Sequence, residues 1–299
     1  MLPRLLEMNG LVLIDKPAGW TSHDVVNRWR RLARTKRAGH LGTLDPMATG
    51  LLMLVTGTAT RLAQFFGKHE KTYQAEVHLG STSDTYDAEG SVIHTGVPIP
   101  REEEIRKSLL AFQGKLQQVP PPVSAKKING VAAYKLARKQ QPVNLAPVEV
   151  EISHLEIHRI TDGAVQFTIR CSAGTYIRSI AHDLGNALGC GGILSSLRRT
   201  QSGSFSVADA YKLDELQELA DSGSLEKAVV PASQLLPEFP SVHCDELIEI
   251  HIRQGREFRT SPFVVGADVP LVKAISSSGD LIAIGQLKFT NVYHPMLVL

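Results

Sequence analysis

The chain has 299 residues, of which 43% are hydrophobic and 21% charged, and its formal net charge is only +2. This composition excludes a disordered chain and is typical of a globular protein of about two domains, and the charge alone does not indicate a nucleic-acid binder. Three cysteines lie far apart without a Cys-x-x-Cys pair, so we expect reduced thiols and neither a disulfide framework nor a zinc site.

The first elements along the chain are a short strand and an amphipathic helix. Residues 10–14 are apolar and predict a short strand. The run is too short for a signal peptide or a membrane span. A helix is predicted to begin at Thr21 or Ser22, both good N-cap residues. Its apolar positions recur at helical spacing and predict a buried face made of Val25, Val26, Trp29, Leu32 and Ala33.

The remaining pattern mixes strands and helices. Apolar runs, continuous or alternating, predict strands at 51–55, 72–79 and 165–171. Helices are predicted after Thr58 or Thr60, at 102–112, after the turn at 172–175, and at 213–222. The proline-rich residues 119–123 fit neither element and open a polar, lysine-rich loop that runs to about residue 147.

This order of elements predicts an α+β protein with two domains. Residues 1–235 are expected to form a mixed or antiparallel sheet with flanking helices. From residue 241 onwards short strands are punctuated by glycines, which predicts a small, separate and mostly β domain at 240–299.

Positive charge is concentrated in patches along the chain. Six of the ten residues from Arg28 to Arg37 are basic, and Arg28, Arg31 and Arg34 fall away from the apolar stripe of the first predicted helix. Smaller clusters occur at 126–127, 135–139 and 198–199. Separate patches suit a folded polyanion better than a diffuse tail does, although each patch also fits an ordinary solvated helix face.

One carboxylate lies on a loop that is suited to chemistry. The run Gly39-His40-Leu41-Gly42-Thr43-Leu44-Asp45-Pro46 places Asp45 between a glycine-rich turn and a proline, shortly before a buried strand. A rigid loop between ordered elements can present a single reactive group at a cleft. The alternative is that Asp-Pro forms a structural turn and that His40 is a helix-end or a hydrogen-bonded loop histidine.

Three further segments carry candidate functional side chains. They are Asp15-Lys16-Pro17, Lys71-Thr72-Tyr73, and residues 174–185, which hold Tyr176 and Arg178 at a turn and helix start. Taken singly, Tyr73 also fits a core tyrosine. Together with Asp45, they supply one carboxylate, an arginine able to pair with it and two aromatic rings. That set suits a flat, uncharged base that is stacked and attacked by a carboxylate.

Several other chemistries are not supported. The chain has no G-x-x-x-x-G-K-[ST] loop, no G-x-G-x-x-G after a strand and no G-x-S-x-G elbow. The eleven histidines are scattered, and His154 and His158 lie in a segment that looks like a strand, so no metal site is expected. A second acid for a glycosidase pair and a base for a serine or cysteine nucleophile are also lacking.

The run from Gly39 to Gly50 resembles the catalytic motif of the TruB family, the bacterial tRNA pseudouridine-55 synthases. The other segments occur in that family's order, followed by Ser195-Ser196-Leu197-Arg198-Arg199. The resemblance covers roughly residues 10–205 and implies a pseudouridine-synthase-like sheet with flanking helices. Residues 241–299 are similar, more loosely, to the family's small RNA-binding PUA-type domain.

The resemblance implies catalytic roles for three residues. Asp45 occupies the position of the essential nucleophilic aspartate, and Arg178 matches the arginine that pairs with it. Tyr73 matches the tyrosine that stacks on the target base. We expect burial to raise the pKa of Asp45 and Arg178 to hold it down.

The resemblance also implies residues that bind the RNA. Tyr176 and Leu197 are expected to line the uridine pocket, with Lys16 near it. His40 is expected to contact the RNA where the target uridine leaves its loop. The loop at about 120–147 takes the place of an RNA-clasping insertion. The backbone of the RNA is expected to be held by the basic helix and its end, through Arg28, Arg31, Arg34 and Arg37.

The expected function is cofactor-free isomerisation of uridine to pseudouridine in the T-loop of tRNA, at position 55. We expect a cytoplasmic enzyme that acts as a monomer on the T-arm, without a metal, a membrane or an obligatory protein partner. A non-catalytic tRNA-binding or RNA-folding protein would use the same basic surfaces but does not need an Asp45–Arg178 pair. A guide-RNA-dependent synthase of archaea and eukaryotes is disfavoured because the chain lacks a long basic tail.

Overall fold

The computed structural model describes residues 8–124, 126–128, 131–133, 136, 141, 145–261, 265–266 and 268–299. Three of the basic positions noted in the sequence, Lys135, Arg138 and Lys139, and much of the expected clasping loop at 120–147 lie outside the described residues. Within the described residues, no helix is long and apolar enough to cross a membrane.

The strands are β1 (Gly10–Lys16), β2 (Ala38–His40), β3 (Thr49–Thr56), β4 (Lys71–Leu79), β5 (Ser81–Ser83), β6 (Val92–His94), β7 (Gly114–Gln118), β8 (Lys127–Ile128), β9 (Val131–Ala132), β10 (Val148–Thr161), β11 (Ala164–Cys171), β12 (Gly192–Ser202), β13 (Phe205–Ser206), β14 (Val229–Pro231), β15 (Ser241–His243), β16 (Phe258–Arg259), β17 (Leu271–Ile275), β18 (Leu281–Phe289) and β19 (Val292–Val298). Among the residues that the structure describes, the α-helices with defined bounds are α1 (Ser22–Leu32), α2 (Ala63–Phe66), α3 (Glu102–Leu110), α4 (Ile177–Ala187), α5 (Leu213–Asp221) and α6 (Glu246–Arg253).

Ten of these described strands form one mixed sheet. Its order is β14-β1-β3-β12-β4-β11-β10-β7, with β2 paired to β3 and β13 paired to β12. Within this sheet β3 and β12 run parallel, with Arg198 opposite Thr49 and Arg199 opposite Gly50, whereas the other described pairs are antiparallel. β12 comes late in the chain and lies between β3 and β4.

Helix α1 forms where the sequence predicts it. Thr21 is its N-cap, and the Thr21 side chain accepts a hydrogen bond from the Asp24 amide at 3.1 Å while the Asp24 carboxylate accepts one from the Thr21 amide. Val25, Val26 and Trp29 are buried, as their spacing predicts. This reciprocal cap satisfies amides that would otherwise lack partners at the helix start.

Helices cover one face of the main sheet. The alternating side chains Tyr73, Ala75, Val77 and Leu79 of β4 are buried in an apolar cluster on this face, which confirms the alternation read from the sequence. Four helices contribute side chains to the same cluster: Trp29 from α1, Ile105 from α3, Ile180 from α4 and Leu216 from α5.

The C-terminal part of the chain packs on the opposite side of β1 and β3. It forms a five-stranded sheet in the order β15-β17-β18-β19-β16, beside α6. Leu281, Ile284 and Leu297 of this sheet share an apolar cluster with side chains of β1 and β3, namely Leu11, Leu13, Leu51, Met53 and Val55. The α+β class with a small, mostly β C-terminal domain is confirmed, while the domain limits 1–235 and 240–299 stay predictions.

Some elements differ from the sequence-based expectation. The helix expected near Thr58 or Thr60 begins as a 3-10 turn over Gly57–Leu62, and only Ala63–Phe66 is α-helical. The sequence pattern does not predict β12. Two register shifts, between Leu194 and Ser196 and between Arg199 and Gln201, interrupt the alternation of this strand. Cys171, Cys190 and Cys244 are free and buried.

Candidate active site

The Asp45 loop is held between α1 and the sheet. The Ser22 hydroxyl, in the first turn of α1, donates a hydrogen bond to the Leu44 carbonyl at 3.0 Å and accepts one from the Leu44 amide at 2.8 Å. On the other side of Asp45, β3 begins at Thr49 and meets β12 at once. The chain on both sides of the carboxylate is therefore fixed.

A buried lysine supports the same loop. Lys16, at the end of β1, is completely buried, and its Nζ donates to the carbonyls of Trp20, Pro17 and Pro46 at 2.6, 3.0 and 3.1 Å. Burial lowers the pKa of Lys16 to about 8, although Glu89 and Asp45 act against that shift. The three donors of its ammonium group thus meet three carbonyls, one of them next to Asp45.

Arg178 pairs with Asp45 through two atoms. Its Nη2 donates to Asp45 Oδ1 at 3.2 Å, and its Nε lies 2.9 Å from Asp45 Oδ2. The Arg178 side chain is 6% exposed and the Asp45 side chain 33%, so the carboxylate still reaches the cleft. A two-atom contact of this kind fixes the orientation of both groups.

A second, more deeply buried carboxylate faces the same guanidinium. Asp87 Oδ2 lies 3.5 Å from Arg178 Nη1, and the Asp87 side chain is only 5% exposed. Asp87 Oδ1 accepts a hydrogen bond from the Thr85 hydroxyl at 2.6 Å and one from the Glu89 amide at 3.1 Å. Arg178 also donates to the carbonyls of Thr85 and Val123, at 3.1 and 3.0 Å. The guanidinium is thus held on several sides.

The electrostatic balance at Asp45 makes its charge costly. Burial raises the pKa of Asp45 above its ordinary value of 3.8, Arg178 opposes this rise, and Asp87 adds to it. Burial is the larger effect, as the direction of the pKa shows. A carboxylate that is poorly solvated but held in place is a stronger nucleophile than one in water.

Asp45 opens into a cleft of about 680 Å³. This volume falls in the range of sites for small organic groups. The cleft is lined by the pair Asp45 and Arg178 and by apolar and aromatic side chains that include Tyr73, Tyr176 and Leu197. The structure thus brings together five of the residues that the sequence singled out.

Two neighbouring strands supply one wall of this cleft. Tyr73 of β4 pairs opposite Arg199 of β12, and Leu197 pairs opposite Ala75. Residues directly opposite each other share a face of the sheet, so Tyr73, Ala75 and Leu197 lie side by side. Burial raises the pKa of the Tyr73 hydroxyl above 10.0, which keeps the ring neutral.

Tyr176 is placed by the end of another strand. Gln118, completely buried at the end of β7, accepts from the Tyr176 amide at 2.8 Å and donates to the Tyr176 carbonyl at 3.0 Å. Tyr176 is the N-cap of α4, so this amide bridge also fixes the start of the helix that carries Arg178.

The other expected binding residues lie outside the cleft wall. His40 ends β2 beside Leu41, which does line the cleft, and burial lowers the pKa of His40 below 6.5. Arg28 is half-buried and donates to Gln217 at 2.7 Å. The exposed basic residues of this region are Arg31, Arg34, Lys36 and Arg37.

Sequence reasoning assigned no role in the site to three buried, charged residues. Asp87, Lys71 and Arg199 line the cleft, and all three are buried. Arg199 donates to the carbonyls of Leu51 and Gly42, at 2.7 and 3.2 Å, so it ties β12 to the Asp45 loop. The expected basic patch at 198–199 is therefore wrong as an exposed surface, because Arg199 is enclosed and Arg198 forms a two-atom ion pair with Asp15.

The sequence and the fold of this chain are similar to those of known proteins. Residues 30–177 match the family model of the TruB family pseudouridylate synthase N-terminal domain, and residues 178–237 match that of the tRNA pseudouridylate synthase B C-terminal domain. A chain in a crystal structure of a Cbf5-Nop10-Gar1 complex superimposes with a TM-score of 0.68 at 26% identity, over 95% of this chain and 80% of that one. The class is therefore that of the pseudouridine synthases.

Sequence relatives narrow the class to one family. The tRNA pseudouridine synthase B of Solibacter usitatus is 48% identical over 293 residues, covering 98% of this chain and 100% of the relative. The enzyme of the same name from Aquifex aeolicus is 38% identical over 94% of this chain and 96% of the relative. The chain belongs to the TruB family of pseudouridylate synthases.

Proposed function

We propose that this enzyme isomerises uridine to pseudouridine at position 55 in the T-loop of tRNA, with Asp45 as the nucleophile. The observation that carries the proposal is the Asp45–Arg178 pair, at 2.9 and 3.2 Å, in a cleft lined by Tyr73, Tyr176 and Leu197. The names of the relatives support tRNA as the substrate, and the resemblance of residues 39–50 supports position 55.

The reaction rearranges bonds without any change in composition. The N1–C1′ bond of the uridine breaks, a C5–C1′ bond forms, the C5 hydrogen leaves as a proton, and N1 takes up a proton. Asp45 can assist this exchange by attack on the uracil ring or on C1′. In the third route, elimination replaces the attack of the carboxylate. Each route needs a single carboxylate close to a stacked, uncharged base.

The cleft accounts for how such a base is held. The target uridine must leave the stack of its RNA loop, at a cost of a few kcal/mol. Stacking on an aromatic ring such as Tyr73 returns about 1–3 kcal/mol. Tyr176 and Leu197 exclude water from the ring, while Arg178 keeps the carboxylate aligned.

The test uses a T-arm stem-loop whose uridines carry tritium at C5. We expect the purified wild-type chain to release tritium from this RNA without a guide RNA or a second protein, which also tests the expected independence of partners. Asp45→Asn should abolish release, because the amide is a poor nucleophile. The exposed Asp214, in the first turn of α5, provides a control, and Asp214→Asn should release tritium at the wild-type rate.

A second variant separates chemistry from binding. Arg178→Ala should lose far more in turnover than in RNA affinity, since Arg178 contacts Asp45 and is 6% exposed. Near wild-type turnover by Asp45→Asn would refute the proposed mechanism. A wild-type chain that binds the stem-loop without releasing tritium would favour an RNA-binding protein. The expected cytoplasmic location and monomeric state remain predictions.

A further inference from the structure

Tyr86 and His182 form a stacked pair beside the active site. Their ring centroids are 3.7 Å apart and their planes differ by 6°. Both side chains are half-buried. Tyr86 lies between Thr85 and Asp87, the two residues that contact Arg178 Nη1, and neither Tyr86 nor His182 lines the cleft. The pair therefore touches the surroundings of Arg178 and not the substrate space.

The backbone at Tyr86 is in an unusual conformation. Its φ is +66°, in the left-handed region that a bulky residue rarely adopts. A strained residue of this kind persists only where its surroundings over-determine it. The Tyr86 carbonyl accepts from the Leu194 amide at 3.0 Å, and the Ser83 hydroxyl donates to the Asp87 carbonyl at 2.6 Å. These bonds tie the loop to itself and to β12.

The stack ties the same loop to a different element, helix α4. His182 follows Arg178 by four residues in this helix, so the two side chains project from one face, a turn apart. The His182 ring is oriented by Asn186, whose Nδ2 lies 2.9 Å from His182 Nε2. Burial lowers the pKa of His182 below 6.5 although the neighbouring Asp183 acts against this shift, so the ring is neutral at pH 7.

We propose that Tyr86 and His182 are positioning residues, whose stack holds residues 85–87 against α4 and thereby aligns Arg178 on Asp45. Without the stack, the Thr85 carbonyl and the Asp87 carboxylate are no longer held at their contact distances from Arg178 Nη1. The guanidinium then holds Asp45 less firmly at the other end. This inference rests on the proposed function, in which the Asp45–Arg178 pair performs the chemistry.

The test compares variants that keep or remove the stack. Glycine tolerates the left-handed backbone, so Tyr86→Gly removes the ring without adding strain. We expect Tyr86→Gly and His182→Ala each to slow single-turnover pseudouridine formation about tenfold, since an aromatic pair contributes on the order of one factor of ten. RNA affinity should stay within about twofold. Tyr86→Phe and His182→Phe keep flat rings and should retain the wild-type rate.

Two further readouts distinguish alignment from general stability. Rate losses of Tyr86→Gly and His182→Ala should not add in the double variant, because both remove one contact. The groups facing Asp45 are Arg178, Asp87 and Lys16. Because weaker alignment of Arg178 stabilises the carboxylate less, the acid limb of the pH–rate profile should move to higher pH in Tyr86→Gly. His158→Ala, which removes an exposed contact to Thr168 on β11, should change none of these.

The outcomes separate this inference from the proposed function. A wild-type rate in Tyr86→Gly and in His182→Ala, with Asp45→Asn inactive, would overturn the positioning role alone. Loss of RNA affinity at an unchanged single-turnover rate would overturn it as well and identify the stack as an RNA contact. If Tyr86→Gly does not fold, the single-turnover rates of His182→Ala and His182→Phe are compared instead, and equal rates would overturn the positioning role. An inactive wild-type chain would instead refute the proposed function.

Discussion

Asp45 and Arg178 are 133 positions apart in the chain, and the fold brings them into contact. Because burial raises the pKa of Asp45, ionisation of this group is less favourable in the folded state than in the unfolded state. The ionised carboxylate therefore lowers the free energy of unfolding. A folded-state pKa above the unfolded value means that the native protein binds the proton more tightly. The cost is thus present above the raised pKa and disappears as the pH falls below the ordinary value of 3.8.

Asp45→Asn should therefore be inactive and yet at least as stable as the wild type at pH 7. The amide is uncharged and can still accept a hydrogen bond from Arg178, so the cost of the buried charge is removed. The advantage should shrink as the pH is lowered through the raised pKa. Thermal unfolding between pH 7 and pH 4 measures this, and a lower melting temperature for Asp45→Asn at pH 7 would contradict the sign.

At the scale of elements, the parallel contact of β3 with β12 determines where the Asp45 loop enters the sheet. Gly50 lies at this contact with a φ of +94°, and a Cβ atom there would be 2.3 Å from the Arg199 carbonyl oxygen. Gly19, in the turn after β1, has a φ of +80°, and a Cβ atom there would meet nothing within 4 Å. An alanine at either position would strain the backbone, but only at position 50 would its Cβ atom also clash.

We expect Gly50→Ala to destabilise the protein by about 3 kcal/mol or more, because strain and overpacking add. Gly19→Ala should cost about 1–2 kcal/mol, from the backbone alone. Denaturant unfolding of the two variants gives the difference directly. Equal losses would mean that β3 and β12 can separate at this point without cost.

The end of helix α1 and the residues that follow it carry exposed basic side chains. Arg31 and Arg34 are exposed, whereas Arg28 is held by Gln217. Arg31→Ala should weaken RNA binding and reduce the slope of log affinity against log salt by about 0.7–0.9, the value for one phosphate contact. Arg34 has a φ of +48°, so Arg34→Asn is the suitable charge removal there and should act in the same way.

Arg28→Ala serves as the comparison for these two variants. Its guanidinium already has a protein partner, so the salt slope should change less than in Arg31→Ala. Filter binding of a T-arm stem-loop at several salt concentrations measures all three slopes. A larger effect for Arg28 than for Arg31 would place the RNA on another side of α1.

Local signals explain what the sequence could predict. The cap and stripe of α1, the alternation of β4 and the Asp45 loop depend on residues within one element, and the structure has these elements where the sequence predicts them. β12 was missed because its two register shifts hide the period of a strand. The place of Asp87 and Arg199 in the site was not predicted, because each looks like a surface charge in the sequence, whereas both are buried in the fold.

At the scale of the whole molecule, the C-terminal sheet and the main sheet share one apolar cluster. Ile284 is completely buried in it, together with Leu11, Leu51 and Val55 of β1 and β3. Separation of the two sheets would expose these side chains to water. The shared cluster predicts that both parts unfold in one cooperative transition.

Ile284→Ala in the full chain should lower the stability of this single transition by about 2–5 kcal/mol, the usual cost of such a cavity. Leu247, on α6, is 71% exposed, and Leu247→Ala should leave the transition unchanged. Calorimetry measures both variants. Two separate transitions, with only one of them affected by Ile284→Ala, would show that the C-terminal part folds independently.

The position of β12 in the sheet also determines how much of the chain must be synthesised before the cleft can form. β3 and β4 are synthesised early, but the strand that lies between them, β12 with Leu197 and Arg199, begins only at Gly192. Synthesis at roughly 5–20 residues per second leaves a nascent chain with two unpaired strand edges for several seconds. A chain released before Ser202 therefore has the aspartate but no cleft, and its exposed edges make it a substrate for chaperones.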